Sequence, residues 1–152
     1  MDDVPRKKLS RRALLGGAGL VLLGGSAYLF GVRWRYYGDH LDAAEAHRAA
    51  SRGDILLIDI RPPEEWEATG VGEGARTLDM RRPDFVEMLD VFTDGDRSRP
   101  VALICARGVR SARLSKALSS AGFTRIIDVP EGMIGSFSGP GWLKRGLPVG
   151  PA

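Results

Sequence analysis

Cysteine is almost absent. Cys105 is the only one in 152 residues, and histidine occurs twice, at His40 and His47. A single thiol excludes an intrachain disulfide and any metal site built from several cysteines. Neither histidine lies at a ligand spacing from another metal-binding residue, so both read as surface residues and no metal is expected. Acidic residues are missing from the whole stretch Val101 to Ile127, although the chain carries 19 of them. Also missing is a basic excess on the folded part. Seven of the 22 basic residues and two of the 19 acidic ones fall within residues 1–38, which leaves 15 and 17 for residues 39–152. The net charge of +3 thus belongs to the N-terminal tail, and the remainder lacks the electrostatic footprint of a nucleic-acid binder. No internal repeat is present, and nothing in the sequence speaks to oligomeric state.

What is there begins with a basic tail, residues 1–12, ending in Ser10-Arg11-Arg12. Residues 13–32 follow with twenty uncharged positions, long enough for a hydrophobic helix to cross a bilayer. Arg33, Trp34, Arg35, Tyr36 and Tyr37 then supply the cations and aromatics of a membrane–water interface, within a juxtamembrane linker over residues 33–40. Five basic residues before the apolar run favour the N-terminus inside and the domain on the outer face of the membrane. Arg11 and Arg12 followed by Leu14 and Leu15 resemble a twin-arginine export signal, and Gly25-Ser26-Ala27 is a weak cleavage site. Three readings stand: a permanent single-pass anchor, a cleaved signal that leaves a soluble periplasmic domain, and a buried helix.

Residues 41–152 read as one α/β domain with a central parallel sheet flanked by helices. Leu41 to Ala50 is alanine-rich and helix-favouring, with Asp39 as a candidate cap. The apolar runs Ile55–Ile60 and Val101–Ile104 suit parallel strands buried on both faces, and Arg125–Val129 a third. Between them, Pro62-Pro63-Glu64-Glu65 opens a helix that stops at Gly70, and a short extended segment lies near Thr77 and Leu78. Phe85, Met88, Leu89 and Phe92 share one face of a helix over 83–92, and a further helix over 110–121 is closed by Gly122. Trp142, Leu143, Leu147 and Val149 are the expected packing residues of the Gly- and Pro-rich tail. Strands alternating with helices imply right-handed parallel crossovers.

Ligands of such sheets bind at the carboxyl ends of strands, where Cys105 sits. The amides of Ala106, Arg107, Gly108, Val109, Arg110 and Ser111 can curl towards the sulfur at a helix N-terminus, and Gly108 permits a tight turn. With Arg107 and Arg110 alongside and no acid in the segment, the local field favours an anion and the thiolate form. A buried inert thiol would expect apolar neighbours instead.

The segment C-A-R-G-V-R-S at 105–111 resembles the C-x-x-G-x-R-[ST] active-site loop of the rhodanese-like sulfurtransferases. I-L-L-I-D-I-R-P-P-E-E-W at 55–66, Gly70 to Ala75, and P-G-W-L-K-R-G-L-P-V at 140–149 match further elements of that family in order. The resemblance implies a rhodanese-like fold and transfer of a sulfane sulfur through a Cys105 persulfide. The donor would be a small anion of the thiosulfate type and the acceptor cyanide or a thiol, including a protein thiol, with no cofactor. Arg110 matches the motif's arginine, and Arg107 occupies a variable position where a cation would favour an anionic substrate. Asp59 and Arg61 match a pair expected to brace the neighbouring loops. Val71-Gly72-Glu73 replaces the usual His-Ile-Pro, Glu131-Gly132-Met133 the usual glycine pair, and Ile134 to Gly139 looks inserted.

Two rivals remain. Cysteine phosphatases wrap a phosphoryl group with five residues between cysteine and arginine; here there are four, Ala106 to Val109, which suits one sulfur atom better. The alternative from another class is a persulfide carrier, or a redox or partner-binding module, without thiosulfate:cyanide turnover.

Overall fold

The computed structural model describes residues 39–152. The chain runs β1 (Asp39–His40), α1 (Ala43–Ser51), β2 (Leu56–Asp59), α2 (Pro63–Thr69), β3 (Val71–Gly72), β4 (Ala75–Thr77) and α3 (Phe85–Phe92). It continues through β5 (Val101–Ile104), α4 (Val109–Ser120), β6 (Ile126–Val129), α5 (Gly141–Lys144) and β7 (Val149–Gly150). Five strands form a parallel sheet in the order β1-β6-β5-β2-β4. From β2 the chain first adds β4 on one side and then crosses to add β5 and β6 on the other. The crevice between β2 and β5 is therefore the topological switch point, and the loops after Asp59 and Ile104 open onto it.

Period-two alternation explains the near-continuous apolar runs. Leu56, Ile58, Val101 and Leu103 point to one face and pack with Phe85 and Leu89 of α3, Leu118 of α4 and Phe123. Leu57, Ala102, Ile104 and Val129 point to the other, against Ala43 and Ala46 of α1, Met133 and Trp142. The helices over 85–92 and 109–120 match the sequence expectation closely, and Gly122 follows the second with φ +96°. Burial of Phe85 and Leu89, with Met88 and Phe92 packed beside them, bears out the apolar face read from the sequence.

Four expectations need correction or location. Asp42, not Asp39, caps α1, because D-A-A-E places Glu45 where it completes a capping box: Asp42 Oδ1 accepts from the Glu45 amide at 2.7 Å and Glu45 Oε2 from the Asp42 amide at 2.8 Å. Asp39 and His40, expected in a linker over 33–40, instead pair with Ile127 and Asp128 as an edge strand. Val149 is 45% exposed, since β7 lies in a separate two-stranded antiparallel ribbon with β3 and turns that side chain outward. The hydrophobic helix expected over 13–32, with its membrane role, lies outside the described residues; among those described, no helix is long and apolar enough to cross a membrane.

Candidate active site

Cys105 follows the last residue of β5 and is 1% exposed. Its Sγ accepts a hydrogen bond from the Gly108 amide at 3.2 Å and lies 3.5 Å from Ser111 Oγ. Gly108 caps α4 in the left-handed region, φ +81° and ψ −16°, so the chain turns sharply enough to aim its amide back at the sulfur. The Ser111 hydroxyl donates to the Gly108 carbonyl at 3.1 Å, closing the turn from inside. Of the amides expected to converge on the thiol, Gly108's makes the contact. Ala106 is half-buried, while Arg107 and Val109 are exposed on the rim.

A second loop holds the first in place. The amides of Met133 and Ile134 donate to the carbonyls of Cys105 and Ala106 at 2.8 and 3.0 Å. A Cβ on Gly108 would collide with the Pro130 carbonyl, and one on Gly132 with the Ala106 carbonyl, so both approaches demand glycine. Glu131, an oddity in the sequence, is buried and takes the Gly141 amide at 3.2 Å and Arg145 Nε at 2.7 Å. It thereby closes off residues 134–140, whose turn is marked by a bridge between Ser136 and Gly139.

Arg110 is where the sequence misled. Its segment carries no acid, yet Glu65 of α2 reaches it with two parallel bonds, Nη1 to Oε1 and Nη2 to Oε2, each 2.8 Å. The pair is about one-third exposed. Glu65 holds the guanidinium above its usual range, with the Cys105 sulfur adding to the effect. The field at the thiol is thus that of a paired arginine, with exposed Arg107 as the cation outside that pair. In the sequence Glu65 stands in the segment I-L-L-I-D-I-R-P-P-E-E-W, forty-five residues before Arg110.

Asp59 and Arg61 are both buried, and Arg61 Nε and Nη2 clasp the Asp59 carboxylate at 2.7 to 3.0 Å. Arg61 also donates to Thr69 Oγ1 at 2.7 Å and to the Gly70 carbonyl at 2.8 Å. The pair ties the end of β2 to the far end of α2, the helix that carries Glu65, and does not touch Cys105.

Sequence reasoning passed over Asp128. It sits on β6 opposite Leu103 and His40, 4% exposed, with Oδ1 lacking any hydrogen-bond partner. Burial pushes its carboxyl up to about 6, against smaller lowering effects from the Ser111 hydroxyl and from His40. Among the described residues no cluster of His, Cys, Asp and Glu is arranged to hold a metal ion. What remains is a solitary thiol with one amide, one hydroxyl and a paired arginine around it, an arrangement suited to nucleophilic chemistry by a thiolate.

The family profile described as a rhodanese-like domain matches residues 42–135, more than half of the chain. A sulfurtransferase of Allochromatium vinosum is 31% identical over 104 residues, covering 68% of this chain and 86% of that protein. A tRNA uridine(34) hydroxylase of Acinetobacter baylyi is 27% identical over 100 residues, 64% of this chain but only 31% of the longer relative. Among solved structures, the polysulfide-sulfur transferase homodimer from Wolinella succinogenes superimposes with a TM-score of 0.58 at 28% identity, over 76% of this chain and 80% of that one. The segment that holds Cys105, its glycine-turned loop and the parallel strands β2, β4, β5 and β6 lies within the matched residues 42–135, and the chain belongs to the rhodanese-like domain family.

Proposed function

We propose that the protein is a sulfurtransferase that passes a sulfane sulfur from an anionic, thiosulfate-like donor to a thiophilic acceptor through a Cys105 persulfide. The observation that carries this reading is the Gly108 amide 3.2 Å from Sγ, inside a loop with only four residues between Cys105 and Arg110. The Cys105 thiolate attacks the outer sulfur of the donor. A bond forms between Sγ and that sulfur, the donor's sulfur–sulfur bond breaks, and sulfite leaves with the electron pair. Cyanide or a thiolate then attacks the outer sulfur of the persulfide and returns Cys105 to the thiolate. Both steps are displacements at sulfur that the chain's own residues support, with Gly108 and Ser111 facing the charged sulfur and Arg110 and exposed Arg107 facing the donor anion. Thiocyanate formation from thiosulfate and cyanide tests it: turnover by the wild-type chain and none by Cys105→Ser is the expected result, and equal rates for the two would overturn it.

One observation favours a second reading, a persulfide carrier that serves a protein thiol and turns thiosulfate over poorly. Arg110 is already engaged by Glu65, so a small dianion must compete with a carboxylate held at 2.8 Å. Here the expected result is a single-sulfur adduct on Cys105, seen by intact mass after exposure to a persulfide donor, without cyanide-dependent turnover. For residues 13–32 we propose a membrane anchor or export signal that puts the domain on the outer, periplasmic or extracytoplasmic face. The support is the uncharged run with its basic flank and the aromatic residues after it. Recovery of the full chain in the membrane fraction after an alkaline wash is the outcome expected of the anchor; recovery in the soluble cytosol contradicts both placements.

A further inference from the structure

Single exposed apolar side chains are ordinary on a protein surface, but Val109 and Phe137 flank the loop that holds the reacting sulfur. The Pro130 carbonyl joins their two segments. It accepts the Ser136 hydroxyl at 2.7 Å and abuts Gly108, whose amide contacts Cys105 Sγ. The next residue in each segment is the exposed one, Val109 at 48% and Phe137 with no cover at all. Phe137 is also held in place. Ser136 and Gly139 exchange backbone hydrogen bonds at 2.9 and 3.3 Å beneath it, and the Ser138 amide donates to Ser136 Oγ at 3.0 Å. Buried Glu131 fixes the base of this hairpin through the Gly141 amide and Arg145. An aromatic ring on so constrained a turn adds nothing to the core, and covering it costs a partner little ordering.

The charge around these residues has one sign. Residues 101–152 carry seven basic residues and two acidic ones, Asp128 and Glu131. Both acids are buried, so the side chains exposed there bear positive charge, although residues 39–152 as a whole hold more acids than bases. Arg107 lies on the rim, and Val109, Arg113 and Lys116 follow one another along the exposed face of α4. Glu65 of α2 reaches the loop from outside this segment, and both of its oxygens are taken up by Arg110. Cyanide or a small anionic donor is too small to cover an apolar ring beyond the loop. A lipid surface seated on Phe137 would also cover the loop through which donor and acceptor reach the sulfur. The complementary surface is a protein segment with acidic residues and an apolar side chain beside its thiol.

We propose that Phe137, Val109 and the cationic rim form the docking surface for a protein acceptor whose cysteine lies in an acidic segment with an apolar residue nearby. The inference rests on the persulfide reading given above and names the chemistry of the acceptor. With that segment docked, its thiolate attacks the outer sulfur of the Cys105 persulfide. A sulfur–sulfur bond forms on the acceptor, the bond between that sulfur and Sγ breaks, and its electron pair returns to Cys105 as the thiolate. Phe137 takes no part in the exchange; it selects which thiol is brought to the loop.

The test starts from the full-length chain already carrying one added sulfur on Cys105, verified by intact mass, so that the donor step is complete. Three acceptors are compared: cyanide, a short peptide with one cysteine among aspartates and a leucine, and the same peptide with asparagines for the aspartates. Discharge to the aspartate peptide should be faster than to the asparagine peptide and should lose that advantage in high salt. Phe137→Ala should slow discharge to the aspartate peptide by about tenfold, the effect of removing one apolar anchor, and leave discharge to cyanide unchanged. Equal peptide rates for wild type and Phe137→Ala overturn the proposal, as do equal rates for the two peptides or a matching loss with cyanide. Phe137→Trp reads the other occupants. Quenching of its added fluorescence by brominated phosphatidylglycerol vesicles would seat the ring in lipid, and a change in it with protein concentration would seat it on a second copy. Either result overturns the proposal. A wild-type chain that takes up no sulfur removes the persulfide reading itself, and this is seen before any acceptor is added.

Discussion

In the proposed transfer Arg110 meets the anionic donor, and because Glu65 holds it in two 2.8 Å bonds, an anion binding there must displace a carboxylate. Replacing Glu65 with Gln keeps the shape and removes the competing charge. Loading of Cys105 by thiosulfate, followed by intact mass, should then be faster than in the wild type, whereas Arg110→Ala should slow it by about tenfold to a hundredfold, the range of a lost charge-assisted contact. Unchanged loading in both variants would show that the donor binds elsewhere. Gly132 is a second sensitive residue. Its φ of +66° and the approach of the Ala106 carbonyl leave no room for a methyl group, so Gly132→Ala should destabilise the domain by about 2–4 kcal/mol in urea unfolding and slow Cys105 loading. The importance of Gly108 could be read from the sequence, since a turn into a helix beneath a thiol needs that freedom. The Glu65–Arg110 pair could not, because an acid-free segment says nothing about which distant helix packs on it. Asp128 was hidden for a related reason: a lone acid in the strand I-I-D-V does not reveal that both faces of that strand are covered.

At the scale of elements, α2 positions the site without touching the sulfur. Its Glu65 reaches Arg110, and its C-terminal end is bound by Arg61, which Asp59 anchors to β2. Asp59→Asn leaves a buried guanidinium uncompensated, and removing one partner of such a pair costs about 3–5 kcal/mol. A fall of that size in unfolding free energy, accompanied by slower Cys105 loading, is expected; a fall in stability with loading untouched would mean that α2 does not set Arg110. Long periodic elements were legible because burial on two faces writes itself into I-L-L-I-D-I and V-A-L-I as unbroken apolar runs. The two-residue strands β1, β3 and β7 were not, since so few residues carry no period and their pairing depends on partners far away in sequence. The cap of α1 was misplaced by three residues because Asp39 and Asp42 are both capping types, and only Asp42 has Glu45 three positions on.

For the molecule as a whole, the parallel sheet brings the ends of β2 and β5 together at its switch point, and the site lies where the order of the strands reverses. The folded state also carries a pH signature. Asp128 keeps a proton up to about 6 when folded but loses it near 3.8 when unfolded, so between those values the folded state binds more protons and stability falls as pH rises. That contribution amounts to about 3 kcal/mol across the window, and Asp128→Asn should flatten it in urea unfolding followed from about pH 4 to 7. A wild-type profile as flat as the variant's would mean that the carboxyl is not held protonated. Sulfur uptake by Cys105 is read from the intact mass of the full-length chain after incubation with a sulfane donor. Wild type should gain the mass of a single sulfur atom, lose it on addition of cyanide with release of thiocyanate, and Cys105→Ser should gain nothing. A wild-type chain that takes up no sulfur from thiosulfate, polysulfide or a small persulfide would rule out transfer through a Cys105 persulfide.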